Sequence, residues 1–257
     1  MNMQDQLMDK SGVSAAGVPT REMLNGRNGM VEERLPFTVR IVRCDEQLSK
    51  AVHIRHSAYA RHVPTVAAML ENAEMLDRDE GTVILLAESK LDGSPLGTMR
   101  IQTNRFRKLA LEQTVTLPDW LQGRSLAEAT RLGVTEGRIG RVVKMTLFKA
   151  YYQYCLAKDI EWMVIAARSP LDRQYEALLF QDVFEQGAFI PMRHAGNIPH
   201  RVLAFDVATA HDRWTEANHP LLHYMCGIRH ADIDLSETDR AVRQEIARYN
   251  NASHAFA

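Results

Sequence analysis

The feature that most constrains the fold is a long helical segment that is apolar on more than one side. Between Arg141 and Leu156, apolar residues recur every three and four positions in a row broad enough for burial on more than one face. A short apolar segment, 161–167, follows, and it is consistent with a strand buried in a sheet. The neighbouring helix and strand predict a layered α/β domain.

The order of the remaining segments predicts a mixed sheet with helices on its faces. Turn residues at 92–95 separate two of the strands and predict a hairpin. Asp45 is a plausible N-cap for the first helix. In chain order, the other predicted segments are a strand from Phe37, a helix along 45–62, strands Thr82–Glu88, Leu96–Thr103 and Leu126–Val134, a helix over 171–180 and a strand ending at 207.

The two ends of the chain differ from this periodic middle. Residues 1–34 mix glycine, serine, asparagine and charges without a sustained period, which predicts a flexible N-terminal tail. Residues 35–257 are predicted to form a single domain, with a C-terminal helical extension from about residue 210.

Composition narrows the class of protein. The formal net charge of −1 over 257 residues argues against broad binding to nucleic acid. Three widely spaced cysteines suit a reducing compartment and offer no disulfide framework. The apolar runs are too short to span a bilayer, and the N-terminus lacks a secretory pattern. We therefore expect a cytoplasmic protein without an integral membrane segment.

Arg55 is the first unusual residue. It shares one helical stripe with Leu48, Val52 and Tyr59, which face the predicted core. A guanidinium that faces a core needs a charged partner or a ligand, because an unpaired buried charge is costly. Arg55 is therefore part of a structural ion pair, a stem whose charged end reaches water, or a wall of a substrate pocket.

Glu128 and Arg131 are two charges within a strand that is otherwise rich in apolar and small residues. Residues three apart face opposite sides of a regular strand, but a bulge would let both reach one cleft. A buried Glu128 could accept a proton from a substrate amine, directly or through water. The alternative is that Glu128 pairs with Arg55 or Arg131 and only holds the fold.

Basic residues crowd the start of the long helix. Positive charge is disfavoured at a helix N-terminus, where free N–H groups and the macrodipole attract anions. Their position makes sense if a phosphate binds there, and glycine lets the backbone approach it. An incidental basic turn is the alternative. The residues of this predicted anion site are Arg138, Gly140, Arg141 and Lys144.

Three weaker patterns predict little chemistry. His219 and His223 have a spacing seen among metal ligands, but no carboxylate motif accompanies them, so we predict no metal site. Cys155 lies on the apolar helix and is interpreted as a small core residue. The run 105–108 is a surface charge cluster, or a docking patch on the same side as the basic helix start.

Seven residues, in their order along the chain, resemble the pattern of a known family. Their order is similar to that of the acyl-homoserine lactone synthases, and the segment from Pro199 with Trp214 and Tyr224 is closer to the related long-chain N-acyl amino acid synthases. The resemblance covers about residues 37–230. The seven residues are Arg55, Tyr59, Asp77, Asp79, Arg100, Glu128 and Arg131.

The resemblance implies an α/β, GNAT-like acyltransferase fold. Its sheet would be mixed, mostly antiparallel, and splayed between the fourth and fifth strands, here Leu126–Val134 and Trp162–Arg168. It also implies roles for the seven residues. Glu128 and Arg131 would be catalytic, and the substrate-binding residues would be Arg55, Tyr59, Asp77, Asp79 and Arg100.

The family further implies an acyl donor carried on the phosphopantetheine of an acyl-carrier protein, with no cofactor bound to the enzyme. The arm would reach Arg138, Gly140, Arg141 and Lys144. A small amine or amino acid would attack the thioester directly. We therefore expect an N-acyl amino acid synthase. The alternatives are an acyl-homoserine lactone synthase, an acetyl-CoA-dependent N-acetyltransferase and a non-catalytic acyl-binding module.

Overall fold

A computed structural model describes residues 31–236 and contains one large sheet with helices on both faces. The helices are α1 Asp45–Ala60, α2 Pro64–Ala67, α3 Gly137–Ala157, α4 Leu171–Glu176 and α5 Ala210–Glu216. The strands are β1 Val31–Glu33, β2 Phe37–Ile41, β3 Thr82–Ser89, β4 Pro95–Thr103, β5 Leu126–Val134, β6 Trp162–Ala167, β7 Gln181–Asp182, β8 Ile190–Met192, β9 Ile198–Asp206, β10 Ile228–His230 and β11 Ile233–Asp234.

The sheet is mixed and mostly antiparallel, as expected. Strands β2, β3, β4 and β5 pair in antiparallel order, β5 pairs with β6 in parallel, and β6 pairs with β9 in antiparallel. Strands β5 and β6 are the fourth and fifth strands from β2 onward. Their pairing runs from Leu126 opposite Trp162 to Ala129 opposite Ile165 and then stops. Beyond it, β5 stays with β4 and β6 with β9, so the sheet splays here.

Helix α3 covers one face of the sheet, and its broad apolar stripe is confirmed. Val143, Leu147 and Tyr151 are fully buried in the larger core. The widened edge of the stripe packs against the C-terminal region, where the Tyr152 and Trp214 rings lie 5.2 Å apart. Cys155 is buried in this core, as predicted.

Helix α1 covers the opposite face, beside the candidate site. Its apolar side packs Leu48 and Val52 against Ile84 and Leu86 of β3. Arg55 lies one turn further along and is fully buried. Helix α4 ends at Glu176, before the predicted end at 180, because Leu179 adopts a positive φ of 71° that interrupts a helix.

Both chain ends differ from the predicted boundaries. Most of the predicted tail, residues 1–30, lies outside the described range, but Val31–Glu33 pairs in parallel with Ile228–His230. Residues 237–257 of the predicted C-terminal extension also lie outside the described range. Its described part is helical at α5 and His223–Gly227, and then returns to strands β10 and β11. Strand β11 covers the open edge of β2, where unpaired backbone groups need partners.

The buried Lys149 of α3 attaches this returning segment to the core. Its Nζ donates to the carbonyl oxygens of Tyr224 and Ile228, each at 2.5 Å. The three cysteines are free. Within residues 31–236, no helix has the length and apolar character needed to cross a membrane. The cytoplasmic location stays a prediction.

Candidate active site

The splay between β5 and β6 opens into a cleft of about 550 Å³. A volume of this order suits a small-molecule site. Its walls are the end of α1, the C-terminal half of β5, the first turns of α3, the end of β6, and residues of α4 and β9. Tyr59 and Arg131 line it, whereas Arg55, Asp77, Asp79, Arg100 and Glu128 do not.

A bulge in β5 positions Arg131. Thr98 is paired with Gly133 and Arg100 with Thr130, so β5 carries one more residue than β4 between these pairs. Arg131 lies in that extra stretch with a positive φ of 56°. The bulge considered from the sequence is therefore present, and it directs Arg131 to a carboxylate, Glu74, on the α1 face.

Beneath the cleft, Arg55 and Arg100 share a buried carboxylate. Arg55 binds Asp77 through two hydrogen bonds of 2.9 and 3.0 Å, from Nη1 and Nη2. Arg100 donates from Nη1 to Asp77 at 3.2 Å and from Nε to the Thr130 hydroxyl at 3.0 Å. Arg55 is thus part of a structural ion pair, which was one of its possible roles.

Glu74 joins this pair to Arg131. Arg131 donates from Nε and Nη2 to the two Glu74 oxygens at 2.7 Å each, and Arg55 and Arg100 donate to Oε2 at 3.2 and 3.0 Å. Burial raises the pKa of Glu74, but the three arginines outweigh it and lower that pKa to about 2. Three guanidinium groups against the carboxylates of Glu74 and Asp77 leave an excess of positive charge next to the cleft.

Glu128 lies apart from this arginine cluster, which consists of Arg55, Arg100 and Arg131 with Glu74 and Asp77. It accepts a hydrogen bond from the Leu111 backbone N–H at 3.1 Å, and its Oε1 is 3.8 Å from His194 Nε2. Within residues 31–236, Oε1 has no hydrogen-bond partner. Burial raises the pKa of Glu128 to about 7, against the opposing effects of the Leu111 N–H and Arg100. Glu128 therefore pairs with neither Arg55 nor Arg131, and its catalytic role stays a prediction.

The start of α3 forms one end of the cleft. Gly140, Arg141 and Lys144 line it, whereas Arg138 is exposed on the same turn and does not. A Cβ on Gly140 would lie 1.8 Å from the Thr135 carbonyl oxygen, so the close approach requires glycine. Glu136 makes no side-chain cap at this N-terminus, whose first N–H groups lack helical partners. This end of the cleft is therefore suited to an anion.

Asp79 and the basic run 105–108 do not line the cleft. Asp79 lies outside the arginine cluster and binds Arg107 instead. The run 105–108 follows the end of β4 at Thr103, whereas α3 begins near the other end, where the Thr135 N–H binds the Leu96 carbonyl. A docking patch at 105–108 would therefore not lie on the side of the basic helix start, because β4 separates them.

Metal ligation has no support in the described part of the chain. His219 uses both ring nitrogens, with Nε2 2.7 Å from the Ala177 carbonyl oxygen and Nδ1 accepting from the Leu221 N–H at 3.1 Å. Residues 31–236 contain no group of three or more histidines, cysteines or carboxylates arranged to hold a metal ion.

Three residues near the cleft were not predicted from the sequence: Glu74, His194 and His200. The only available signal for Glu74 is its position three residues before Asp77, which places both acids in one helical turn. His194 lies in the turn before β9 and His200 is the third residue of that strand, and isolated histidines carry no sequence signal of their own.

The family model of the N-acyl amino acid synthase FeeM matches residues 50–196, more than half of the chain. The chain belongs to the FeeM family. The match includes all seven residues on which the resemblance was based, together with the basic start of α3. This FeeM-family chain is an acyltransferase with a mixed α/β fold like that of FeeM.

Solved structures agree with this fold. FeeM, an N-acyl amino acid synthase from uncultured soil microbes, is 18% identical with a TM-score of 0.55, covering 74% of this chain and 97% of that chain. The CoA-dependent acyl-homoserine lactone synthase BjaI, with SAM and isopentyl-CoA, is 15% identical with a TM-score of 0.50, covering 76% of this chain and 93% of that chain. No curated protein matched the chain.

Proposed function

We propose that this FeeM-family protein moves a fatty acyl group from the phosphopantetheine of an acyl-carrier protein to the amine of an amino acid. The observation that carries the proposal is the cleft at the β5–β6 splay. It has a basic helix start at one end and positive charge from the arginine cluster beside it. Family membership supports acyl transfer, and the donor and the acceptor are the proposed steps beyond it.

The helix start would hold the phosphate of the donor arm. Backbone N–H groups of the first turn, Arg141 and Lys144 all favour an anion there. Burial, with Arg141 second, lowers the pKa of Lys144 and so favours its neutral form; a bound phosphate would oppose this shift. The arm would then run between β5 and β6.

The thioester carbonyl would lie against β5 beyond Ala129, where β6 no longer pairs with that strand. Backbone N–H groups that face the gap could donate to the oxygen that becomes negative when the carbonyl is attacked. The three cysteines do not line the cleft, and Cys155 is buried in the core. This arrangement supports direct attack by the amine without an acyl-cysteine intermediate.

The acceptor would bind at the other end, between Tyr59 and Arg131. The excess positive charge of the arginine cluster attracts a carboxylate, which an amino acid carries and a simple amine does not. Arg55, Asp77 and Arg100 do not line the cleft, so their proposed contribution is to hold Glu74 and Arg131 in place. Asp79 lies outside this network, and its substrate-binding role stays a prediction.

Charge reversal tests the donor. We expect Arg141→Glu to raise the KM for the acylated carrier about tenfold, because a charge-assisted hydrogen bond is lost and repulsion replaces it. The KM for the amino acid should stay within about twofold of wild type. Arg138 is on the exposed turn, where the carrier protein would contact the enzyme. Arg138→Glu should therefore weaken binding of the acylated carrier more than binding of the same acyl group on coenzyme A.

The measurement is steady-state kinetics with both donors at low and moderate salt. Lys158→Glu is the control, because Lys158 lies at the far end of the same 21-residue helix and should change neither constant. Equal efficiency with the two donors, or indifference to Arg141→Glu, would contradict the carrier as donor.

A further inference from the structure

His200 is a cleft-lining residue to which the proposed function assigns no role. It lies near the start of β9, opposite Ile190 of β8, where the next residue pairs with Ala167 at the end of β6. It lines the cleft with Ala167 and Arg168, and it is 8% exposed. The histidine therefore borders the part of the splay where β6 has left β5.

The hydrogen bond of His200 sets its tautomer. Nδ1 lies 2.6 Å from the carbonyl oxygen of Ile198. A carbonyl oxygen can only accept, so Nδ1 must carry the hydrogen. In the neutral ring, Nε2 is then the unprotonated nitrogen with a lone pair to offer. Among residues 31–236, the hydrogen bond of this ring is made by Nδ1 and none is made by Nε2, and His200 lines the cleft.

The surroundings keep this ring neutral. Burial lowers the pKa of His200. The nearby cations Arg168, which directly follows β6, and Arg131 on β5 lower this pKa further, whereas the hydrogen bond to Ile198 raises it. His194, the histidine that precedes β9, is also held neutral, because burial lowers its pKa to about 4. Within the described lining the carboxylate is that of Glu136, which forms an ion pair with Arg61.

We propose that His200 Nε2 accepts the proton that the acceptor amine loses during acyl transfer. The inference rests on the proposed function and adds a catalytic residue to it. A thioester in the splay and an amine between Tyr59 and Arg131 would meet in the cleft that His200 also lines. Glu128 is less suited to this step, because it does not line the cleft and would need water to relay the proton.

The acceptor reacts as a neutral amine. The nitrogen lone pair forms the C–N bond, the carbonyl π pair moves onto oxygen, and one N–H proton passes to Nε2. The oxygen lone pair then re-forms the carbonyl and the C–S bond breaks. The leaving thiolate takes the proton back from His200. The products are an amide, a free carrier thiol and neutral His200.

His200→Asn tests this step. The substitution removes the basic ring nitrogen, while the amide N–H of asparagine can still donate to the Ile198 carbonyl oxygen. We expect kcat to fall at least about 100-fold, a typical loss for a general base, with the KM for the donor within about threefold. Added imidazole should restore part of the rate. The acidic limb of the wild-type kcat profile, below pH about 6.5, should disappear in the variant.

The control is His53→Asn, an exposed histidine on α1, which should match wild type in all four readouts. If His200→Asn and His200→Gln both keep kcat within about threefold and retain the acidic limb, the proposal is wrong. A wild type that transfers no acyl group to any amine would instead overturn the proposed function, and this step with it.

A measurement on the wild-type protein covers the case in which both variants fail to fold. Proton–nitrogen correlation spectra of the histidine rings at pH 7 should show His200 as the neutral tautomer with the hydrogen on Nδ1. A hydrogen on Nε2, or a doubly protonated ring, would leave no lone pair on Nε2 to accept the amine proton and would overturn the proposal.

Discussion

Two buried acidic regions on the α1 side of the sheet behave in opposite ways. In the arginine cluster, Glu74 and Asp77 contact three arginines, and the pKa of Glu74 is lowered to about 2. In the second region, Glu128 has a backbone donor and a neutral histidine nearby, and burial raises its pKa to about 7. A glutamate is therefore a fixed anion in the arginine cluster, whereas Glu128 holds its proton up to near neutral pH.

The difference shows what positions Arg131 at the cleft. Charge pairing holds the arginine cluster together, because each of the three guanidinium groups contacts Glu74, and two of them also contact Asp77. Glu128 instead tethers the turn at Leu111 through the backbone. Removing a carboxylate should therefore destabilise the protein in the first region and relieve an electrostatic cost in the second.

Asp77→Asn should have the largest effect on stability. The Asp77 side chain is fully buried and neutralises Arg55, also fully buried, so the variant leaves a buried cation with a weaker partner. We expect a loss of about 4 kcal/mol in the free energy of unfolding, measured by urea denaturation at pH 7. Asp79→Asn, on the partly exposed Arg107 pair, is the matched control and should cost under about 1 kcal/mol. Equal losses would contradict the charge-pairing account.

Glu74→Gln should cost less, about 3 kcal/mol at pH 7, because its side chain is 22% exposed and water can relieve part of the loss. Its lowered pKa also predicts a pH dependence. The ionised carboxylate stabilises the fold fully above pH 4.5, and that contribution is lost as the pH falls towards about 2. The gap between wild type and variant should narrow between pH 5 and pH 3.

The exposed Glu71→Gln is the control for Glu74→Gln and should leave the unfolding midpoint unchanged at both pH values. A gap that stays constant from pH 5 to pH 3 would mean that Glu74 is not the titrating group.

Glu128→Gln should have the smallest effect and the opposite sign. Its folded pKa of about 7 lies above the ordinary 4.5, so the wild type loses stability as the pH rises from 4.5 through 7. The variant carries no charge to bury. Relative to wild type, the stability of the variant should rise by about 2 kcal/mol between pH 5 and pH 8. Any cost of unpaired groups on the new amide is the same at both pH values and does not enter this difference. A variant that becomes relatively weaker at pH 8 would show that Glu128 is ionised and stabilising.

The same variant also bears on the chemistry. If His200 accepts the amine proton, Glu128→Gln should lower kcat far less than His200→Asn does. A comparable loss in the two variants would favour the water-relayed role predicted for Glu128.

Much of the fold was predictable because periodicity reports burial directly. The broad stripe of α3 and the bounds of β5 follow from residues that repeat at helix or strand spacing. The short strands β10 and β11 were missed, because three-residue and two-residue strands show no alternation. Their pairing with β1 and β2 depends on contacts distant in sequence.

The basic start of α3 was predictable because positive charge is disfavoured at a helix N-terminus. The arginine cluster was predictable from residue patterns only where a charge interrupts a periodic segment. Arg55 and Arg131 are prominent for that reason, and both enter the arginine cluster. Glu74 lies in a segment without a period, and its three arginines are 19, 26 and 57 residues away. His200 depends on where β6 and β5 separate, which local sequence does not report.

The central claim is that the cleft joins a carrier-bound acyl group to an amino acid. The most direct measurement incubates the purified protein with acylated carrier protein and a mixture of all 20 amino acids, followed by mass spectrometry of lipids and carrier. We expect an N-acyl amino acid formed in equal amount with free carrier thiol, and a loss of that product when the amino acids are omitted. Intact acyl carrier, or free fatty acid without any amide, would contradict it.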